Sequence, residues 1–421
     1  MPRWPLLALI PLCACVDKAS GDSGDPAVSW YVDIEPLVQK SCASCHDGAG
    51  VGKVNLTDAA TAQSMADVMA GYVSAGLMPP PSSDPDCRSY GGDERMTLTE
   101  DEKALISAWA EAGAPLGDPD NAPAPVTWGT RIDDPDVVLT MPIAHELQVD
   151  LDGNEYFCTV VDNPLDEDAW ITGLDVAIGN ASVAHHMLLV VDEGGDAGDA
   201  YGDTDGSDGF DCRNPIMEND WRVLHAWAPG MDATLLPEGT GLPIEAGAQI
   251  VIQMHYFALG DTGGTLDQSG YKLKLTTDRP DVEINMDAIG PAGFRISAGE
   301  AEHTETDSYL NEYLDVTAFG VFPHMHLLGT SYKNWITESD GSETCMVEGD
   351  YSFDHQAFYI FDEPVLLGVG DTWNGSCTWD NSTSNPNQYN DPPEDVRYGE
   401  GTNQEMCYFL TYYAVGDHTS R

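Results

Sequence analysis

The sequence predicts a multidomain chain, a small all-α domain followed by two all-β sandwich domains. Three observations carry that expectation. The 421 residues exceed what one hydrophobic core organises and suffice for two or three domains. A proline-rich stretch, Gly117-Asp-Pro-Asp-Asn-Ala-Pro-Ala-Pro-Val126, separates two textures. Before it, apolar residues recur at helical spacing. After it come short apolar or alternating runs, each bounded by Gly, Pro, Asp or Asn.

Composition narrows the function classes. A hydrophobic fraction of 42% with ten Trp argues for packed globular domains. Against 71 Asp and Glu stand only 17 Lys and Arg, a net charge of −54. Such a surface repels phosphate backbones, so nucleic acid is excluded as a partner.

Residues 1–15 read as an export leader, with a basic start, a short apolar run from Leu6 to Leu12, and Leu12-Cys13-Ala14-Cys15. That last segment has the form of a bacterial lipobox with Cys15 acylated; a plain signal peptide cut nearby is the alternative. The apolar run is far too short to span a bilayer. The expected location is therefore the bacterial cell envelope, with exported protein held to a membrane by the lipid anchor alone. Residues 16–29 are small and polar, as a tether should be. Residues 30–117 form the helical domain. Met65, Val68, Met69, Tyr72 and Val73 share a helical stripe, and Thr99 followed by Glu100, Asp101 and Glu102 starts a helix running through Leu105, Ile106 and Trp109. Residues 118–131 are a linker. Residues 132–284 and 285–421 are the two β domains, whose strands include Val183–Val191, Gln249–Phe257, Val316–Phe322 and Cys407–Val415.

The helical domain carries Cys42-Ala-Ser-Cys45-His46, the attachment pattern of c-type haem. Two thiols one helical turn apart bond the haem vinyl groups, and the adjacent His lies beneath the iron. Met78, in Ala75-Gly-Leu-Met78-Pro-Pro-Pro81, is the expected second axial ligand, with Met96 as the alternative. A His/Met pair suits electron transfer. The segment resembles small class I cytochromes c, whose closing helix looks like Leu98-Thr-Glu-Asp-Glu-Lys…Trp109…Gly113-Ala-Pro115.

The β half holds grouped histidines: His185-His186, His255 in Gln253-Met-His255-Tyr256, and His324-Met-His326. On a strand, residues two apart share a face, so His324 and His326 can grip one metal. Adjacent His185 and His186 need a bulge, or different ring nitrogens, to do so. Imidazole alone does not choose among copper, zinc and iron; a thioether favours Cu(I), and Met406 in Glu405-Met406-Cys407 is the candidate. His145, His225, His303, His355 and His418 read as ordinary hydrogen-bonded or surface residues, with His225 the one nearest a motif.

In this order the motifs resemble the copper type II, ascorbate-dependent monooxygenases, the peptidylglycine α-hydroxylating and dopamine β-monooxygenase family. The resemblance runs from about residue 135 to 415. It includes Trp227-Ala-Pro229, Leu236-Pro-Glu-Gly239, Gln356-Ala-Phe-Tyr359, Gly370-Asp371, Cys377-Thr-Trp-Asp-Asn381 and Gly401-Thr-Asn-Gln-Glu-Met406-Cys407. It implies two jelly-roll-like sandwiches with a solvent-filled cleft between two copper ions. His185, His186 and His255 would bind the electron-storing copper. His324, His326 and Met406 would bind the copper that takes oxygen and carry the catalysis. It also implies a Cys377–Cys407 disulfide; Cys87, Cys158, Cys212 and Cys345 stay unpaired on the sequence. The implied reaction is hydroxylation of a C–H bond of a small organic substrate with O₂, which consumes two external electrons. The attached haem, a periplasmic donor or ascorbate would supply them. Phe322 stands where the peptide-amidating relatives place an Arg for the substrate carboxylate, so an apolar or aromatic substrate is expected. Two other readings remain open on the sequence: a non-enzymatic electron-transfer lipoprotein with a copper-binding β module, and a structural surface protein whose His sites hold zinc.

Overall fold

The computed structural model describes residues 28–48, 52–125, 129–150, 153–195, 197, 209–212, 221–258 and 262–419. The leader, the Cys15 lipid site and nearly all of the tether lie outside the described residues, as do residues 126–128 of the linker. No described helix is long and apolar enough to cross a membrane.

A small helical region comes first. A π-turn at Trp30–Ile34 leads into α1 (Glu35–Ser41), α2 (Ala43–His46), α3 (Ala59–Ser64), α4 (Ala66–Ser74), α5 (Asp93–Met96) and α6 (Glu100–Glu111). Helix α6 begins with the expected cap: Thr99 accepts from the Glu102 amide while the Glu102 carboxylate accepts from the Thr99 amide. Trp30, Ile34, Val38, Met69, Val73, Ile106 and Trp109 bury into one apolar cluster. Lys40 pairs with Glu102 across it.

The segment between α4 and α5 is not helical, in keeping with the Pro-stiffened loop expected around Met78. Proline at 79, 80, 81 and 85 forbids a helix there, and the chain packs instead against the distant second β module. Tyr90 joins that module's core, with its ring 4.7 Å from that of Tyr359. The Asp84 amide donates to Glu348 O at 2.7 Å and the Gly91 amide to Ile360 O at 3.0 Å. A Cys87–Cys345 disulfide fastens the contact.

The β half consists of two sandwich-like modules. In the first, a six-stranded sheet built on Ala169–Ala177 and Gly270–Thr276 faces a five-stranded sheet. The latter is ordered Phe210–Asp211, Asn154–Val161, Gln249–Phe257, Ala184–Asp192, Trp221–Trp227. The chain passes to the second module between Val282–Glu283, which still pairs in the first, and Asn285–Ile289, which pairs with Tyr408–Val415. The second module packs the sheet Asn285–Ile289, Tyr408–Val415, Val316–His324, Tyr359–Leu367 against His303–Leu310, Thr372–Trp379, Gly329–Thr337, Glu343–Asp350. Alternation then decides where the modules meet. Residues such as Met187 and Leu189 enter the first core, while His186 and Leu188 share a cavity with Phe322 and Leu410 of the second module. Among the described residues there are three disulfides: Cys87–Cys345, Cys158–Cys212 and Cys377–Cys407. They fit an oxidising compartment.

Candidate metal centre

The site grows from one strand irregularity. Along the pair Gln249–Phe257 and Ala184–Asp192, His255 faces His186 but Tyr256 faces Ala184, so His185 is the extra residue of a β-bulge. The bulge removes the strict alternation that would send neighbours to opposite faces. His185, His186 and His255 thereby gather, each offering a ligand atom within 4.8 Å of the others.

Hydrogen bonds fix the rings. His255 Nε2 donates to Asn154 Oδ1 at 3.0 Å, and its Nδ1 stands 3.4 Å from His186 Nδ1. Buried His185 Nε2 has no hydrogen-bond partner. Burial pushes His185 down to about 3 and His186 well below its ordinary value. The His185 and His186 imidazoles are therefore neutral at neutral pH, with lone pairs to offer a cation. A buried, unsatisfied ring nitrogen beside two converging imidazoles is what a bound metal ion would complete.

The second group sits across a cavity of about 70 Å³ lined by His186, His255, His324, His326 and Met406. His324 ends the strand Val316–His324, and the next turn carries His326. His324 Nδ1 donates to Gln356 Oε1 at 2.8 Å, and His326 Nδ1 donates to Gln404 O at 3.1 Å. Each ring thus keeps Nε2 for another partner. Burial lowers His324 and takes His326 well below the usual imidazole range. Glu405, fully buried, accepts from the His326 amide at 3.0 Å, the Leu328 amide at 2.7 Å and Trp379 Nε1 at 2.8 Å. It locks the His324–His326 turn onto the loop that carries Met406. Burial pushes its carboxyl up to about 8, against N–H donors that favour the anion.

The expected solvent-filled cleft between the two groups is not what the structure has. The His186 and His324 rings lie 5.3 Å apart, and one amide joins them: Gln356 accepts from His324 and donates to His186 Nε2 at 2.8 Å. Leu188, Trp227, Phe322, Tyr408 and Leu410 line the small cavity beside that bridge.

The other histidines have local explanations, with one exception. His145 pairs with Glu155, His303 with Glu300 and Glu305, and His418 bonds Val415 O. His225 is a core residue bonded to Thr234 Oγ1 at 2.9 Å. His355 is buried with neither ring nitrogen hydrogen-bonded, which its isolated place in the sequence did not foretell.

In the helical region, Cys42 ends α1 and Cys45-His46 ends α2. His46 Nδ1 donates to Val54 O at 3.0 Å, aiming Nε2 away. Cys42 and Cys45 are both free thiols, whereas the other six described cysteines pair. Met78 is 39% exposed and, with Met96, lines a groove of about 600 Å³ against Tyr332 and Lys333; His46 does not line it.

Comparison with known proteins decides the family. The N-terminal domain description of the copper type II ascorbate-dependent monooxygenases matches residues 142–260, and its C-terminal domain description matches residues 289–420. The chain belongs to the copper type II ascorbate-dependent monooxygenase family. Among its curated relatives, mouse peptidyl-glycine alpha-amidating monooxygenase is 26% identical over 275 residues, covering 63% of this chain and 26% of that protein. Xenopus laevis peptidyl-glycine alpha-amidating monooxygenase A is 23% identical over 64% of this chain and 27% of its own length. Rat dopamine beta-hydroxylase is 24% identical over 66% of this chain and 46% of its own. The chain therefore spans about a quarter of the length of the amidating relatives it matches. Both family domains fall on the β half, so the helical region stands outside the match.

Proposed function

We propose that the chain is a copper monooxygenase that hydroxylates a C–H bond of a small apolar or aromatic organic substrate with O₂. One observation carries this reading: His185, His186 and His255 converge within 4.8 Å, and His186 and His255 line one cavity with His324, His326 and Met406. The three imidazoles would hold one copper ion, and His324, His326 and Met406 a second. Copper bound there would supply one-electron redox chemistry and a site for O₂, with the thioether favouring Cu(I). The chain's own part is positioning. Asn154 and Gln404 set the rings of His255 and His326, Gln356 ties His186 to His324, and Glu405 holds the His324–His326 turn. Leu188, Trp227, Phe322 and Leu410 exclude water and present an apolar wall to substrate. The test is O₂ uptake by copper-loaded protein across a panel of aryl and alkyl substrates, alongside copper electron paramagnetic resonance. Substrate-dependent uptake supports the reading. Copper binding with no uptake would make the chain an electron-transfer protein, and zinc in place of copper a structural one.

The helical region serves, on this reading, as the electron source. Cys42 and Cys45 would bond a haem, with His46 and Met78 as axial ligands; ascorbate is the alternative reductant. The support is the pair of unbridged thiols and the His46–Val54 hydrogen bond that orients the ring. Lipid attachment at Cys15 would keep the enzyme in the bacterial cell envelope, where a further periplasmic donor could reach it.

A further inference from the structure

The helical region touches the first β module through residues that the metal centre does not use. Gly230, at φ +89°, passes so close that a Cβ there would stand 2.9 Å from Cys45 Sγ and 3.4 Å from His355 Nδ1. Only glycine combines that φ with that approach. Beside it, Arg95 of α5 pairs with Asp232, holding the Ala228–Met231 turn against the haem-attachment segment. His355 is 6% exposed, and neither ring nitrogen makes a well-formed hydrogen bond, the Pro229 backbone being the polar group that faces the ring. A buried polar group so poorly satisfied is destabilising, so packing alone would favour an apolar ring here. The next residue is Gln356, whose amide bonds His324 on one side and His186 on the other, both at 2.8 Å.

These contacts line up. The two thioether bonds of a c-type haem lie on one edge of the macrocycle, so Cys45 marks the edge that faces Gly230. From there the order is Cys45, Gly230, His355, Gln356, and then both histidine groups. We infer that electrons enter the copper-binding module at the Cys45–Gly230 contact, with His355 as the buried relay to the Gln356 amide. The inference rests on the haem and copper assignments proposed above. Each transfer oxidises one ferrous haem iron to ferric and reduces one cupric ion to cuprous; no bond is made or broken and no proton is required. Continuous packing is what the relay supplies, because electronic coupling through touching atoms exceeds coupling across a void.

The test uses the full chain, matured with haem and loaded with copper. The haem is reduced without O₂ or substrate, and its absorbance is followed as the electron passes to Cu(II). In the wild-type chain reoxidation should be independent of protein concentration, as an intramolecular step must be. His355→Ala should slow it by an order of magnitude while the haem spectrum and copper resonance stay unchanged. His355→Phe, which refills the space, should retain the rate. Should His355→Ala fail to fold, His355→Val, apolar and smaller than the ring, provides the second variant, with the same slowing expected. Transfer in His355→Ala at the wild-type rate, or in His355→Phe as slow as in His355→Ala, overturns the relay and leaves the haem as donor. Wild-type haem that stays reduced beside Cu(II), or fails to bond Cys42 and Cys45, overturns the donor reading and the relay together.

Discussion

Asn154 joins the two β modules through one carbonyl oxygen, which accepts from His255 Nε2 at 3.0 Å and from Thr402 Oγ1 at 2.9 Å. Such outer partners hold a ligand ring in the tautomer and direction a metal needs. Asn154→Ala should therefore weaken copper binding by about 10–100-fold, measured by competition with a chelator, with the fold intact. Met406→His should leave two coppers bound yet reduce turnover by at least about tenfold, since imidazole weakens the preference for Cu(I) without removing a ligand. Copper content and O₂ uptake, compared in one preparation, check this; unchanged uptake would make Met406 a core methionine only. The grouped histidines were legible because His-His, His-Tyr and His-x-His are local patterns. Asn154 was not, since its partners lie 101 and 248 residues away and a lone Asn carries no periodicity. The same holds for Glu405, whose partners at Leu328 and Trp379 come together only in the fold.

At the scale of elements, the β-runs and the closing helix were readable because a period of two or of 3.6 is written in single segments. The bulge at His185 was readable only as a requirement; its location follows from register against Gln249–Phe257. Least legible was the proline-rich segment after α4. Its composition forbids helix but does not say what it packs on, and the answer lies in strands more than 250 residues later. The Cys87–Cys345 bridge spans 258 positions. Closing so long a loop restricts the unfolded chain strongly, and a native disulfide typically contributes about 2–4 kcal/mol. Cys87→Ser combined with Cys345→Ser should lower the denaturant midpoint accordingly. An unchanged midpoint would mean that Tyr90 and the backbone bonds at Asp84 and Gly91 suffice to hold the segment.

For the whole molecule, buried histidines make the metal-free protein sensitive to acid. Burial depresses His185 and His225 to about 3 and His355 to about 4, and lowers His186, His324 and His326 as well. The unfolded chain takes up protons below its ordinary histidine value near 6.5, while the fold resists them. Stability is thus fully present above pH 6.5 and falls as pH drops toward 4, by up to about 1.4 kcal/mol per pH unit for each such residue. A net charge of −54 acts in the opposite sense, because acid relieves repulsion among carboxylates. In about 1 M salt, where screening acts within about 3 Å, the histidine effect should dominate. Thermal unfolding of copper-free protein should then shift to lower temperature between pH 7 and pH 5. A midpoint that rises over that range would show that the buried imidazoles do not control acid stability.

Because Tyr90 sits in the core of the second β module and Cys87 is bonded to Cys345, the order of synthesis matters to assembly. Cys87 is synthesised long before Cys345, so the helical region must wait, incompletely docked, until nearly the whole chain has been made. During that interval the thiols of Cys42, Cys45 and Cys87 are all exposed to oxidants. If Cys42 and Cys45 attach a haem as proposed, a premature bridge between Cys87 and either of them would block that attachment and docking at once. Maturation would then call for a disulfide isomerase and a haem-attachment apparatus acting in sequence on the same stretch of chain, and a heterologous host lacking either should accumulate scrambled protein whose yield recovers when both are supplied.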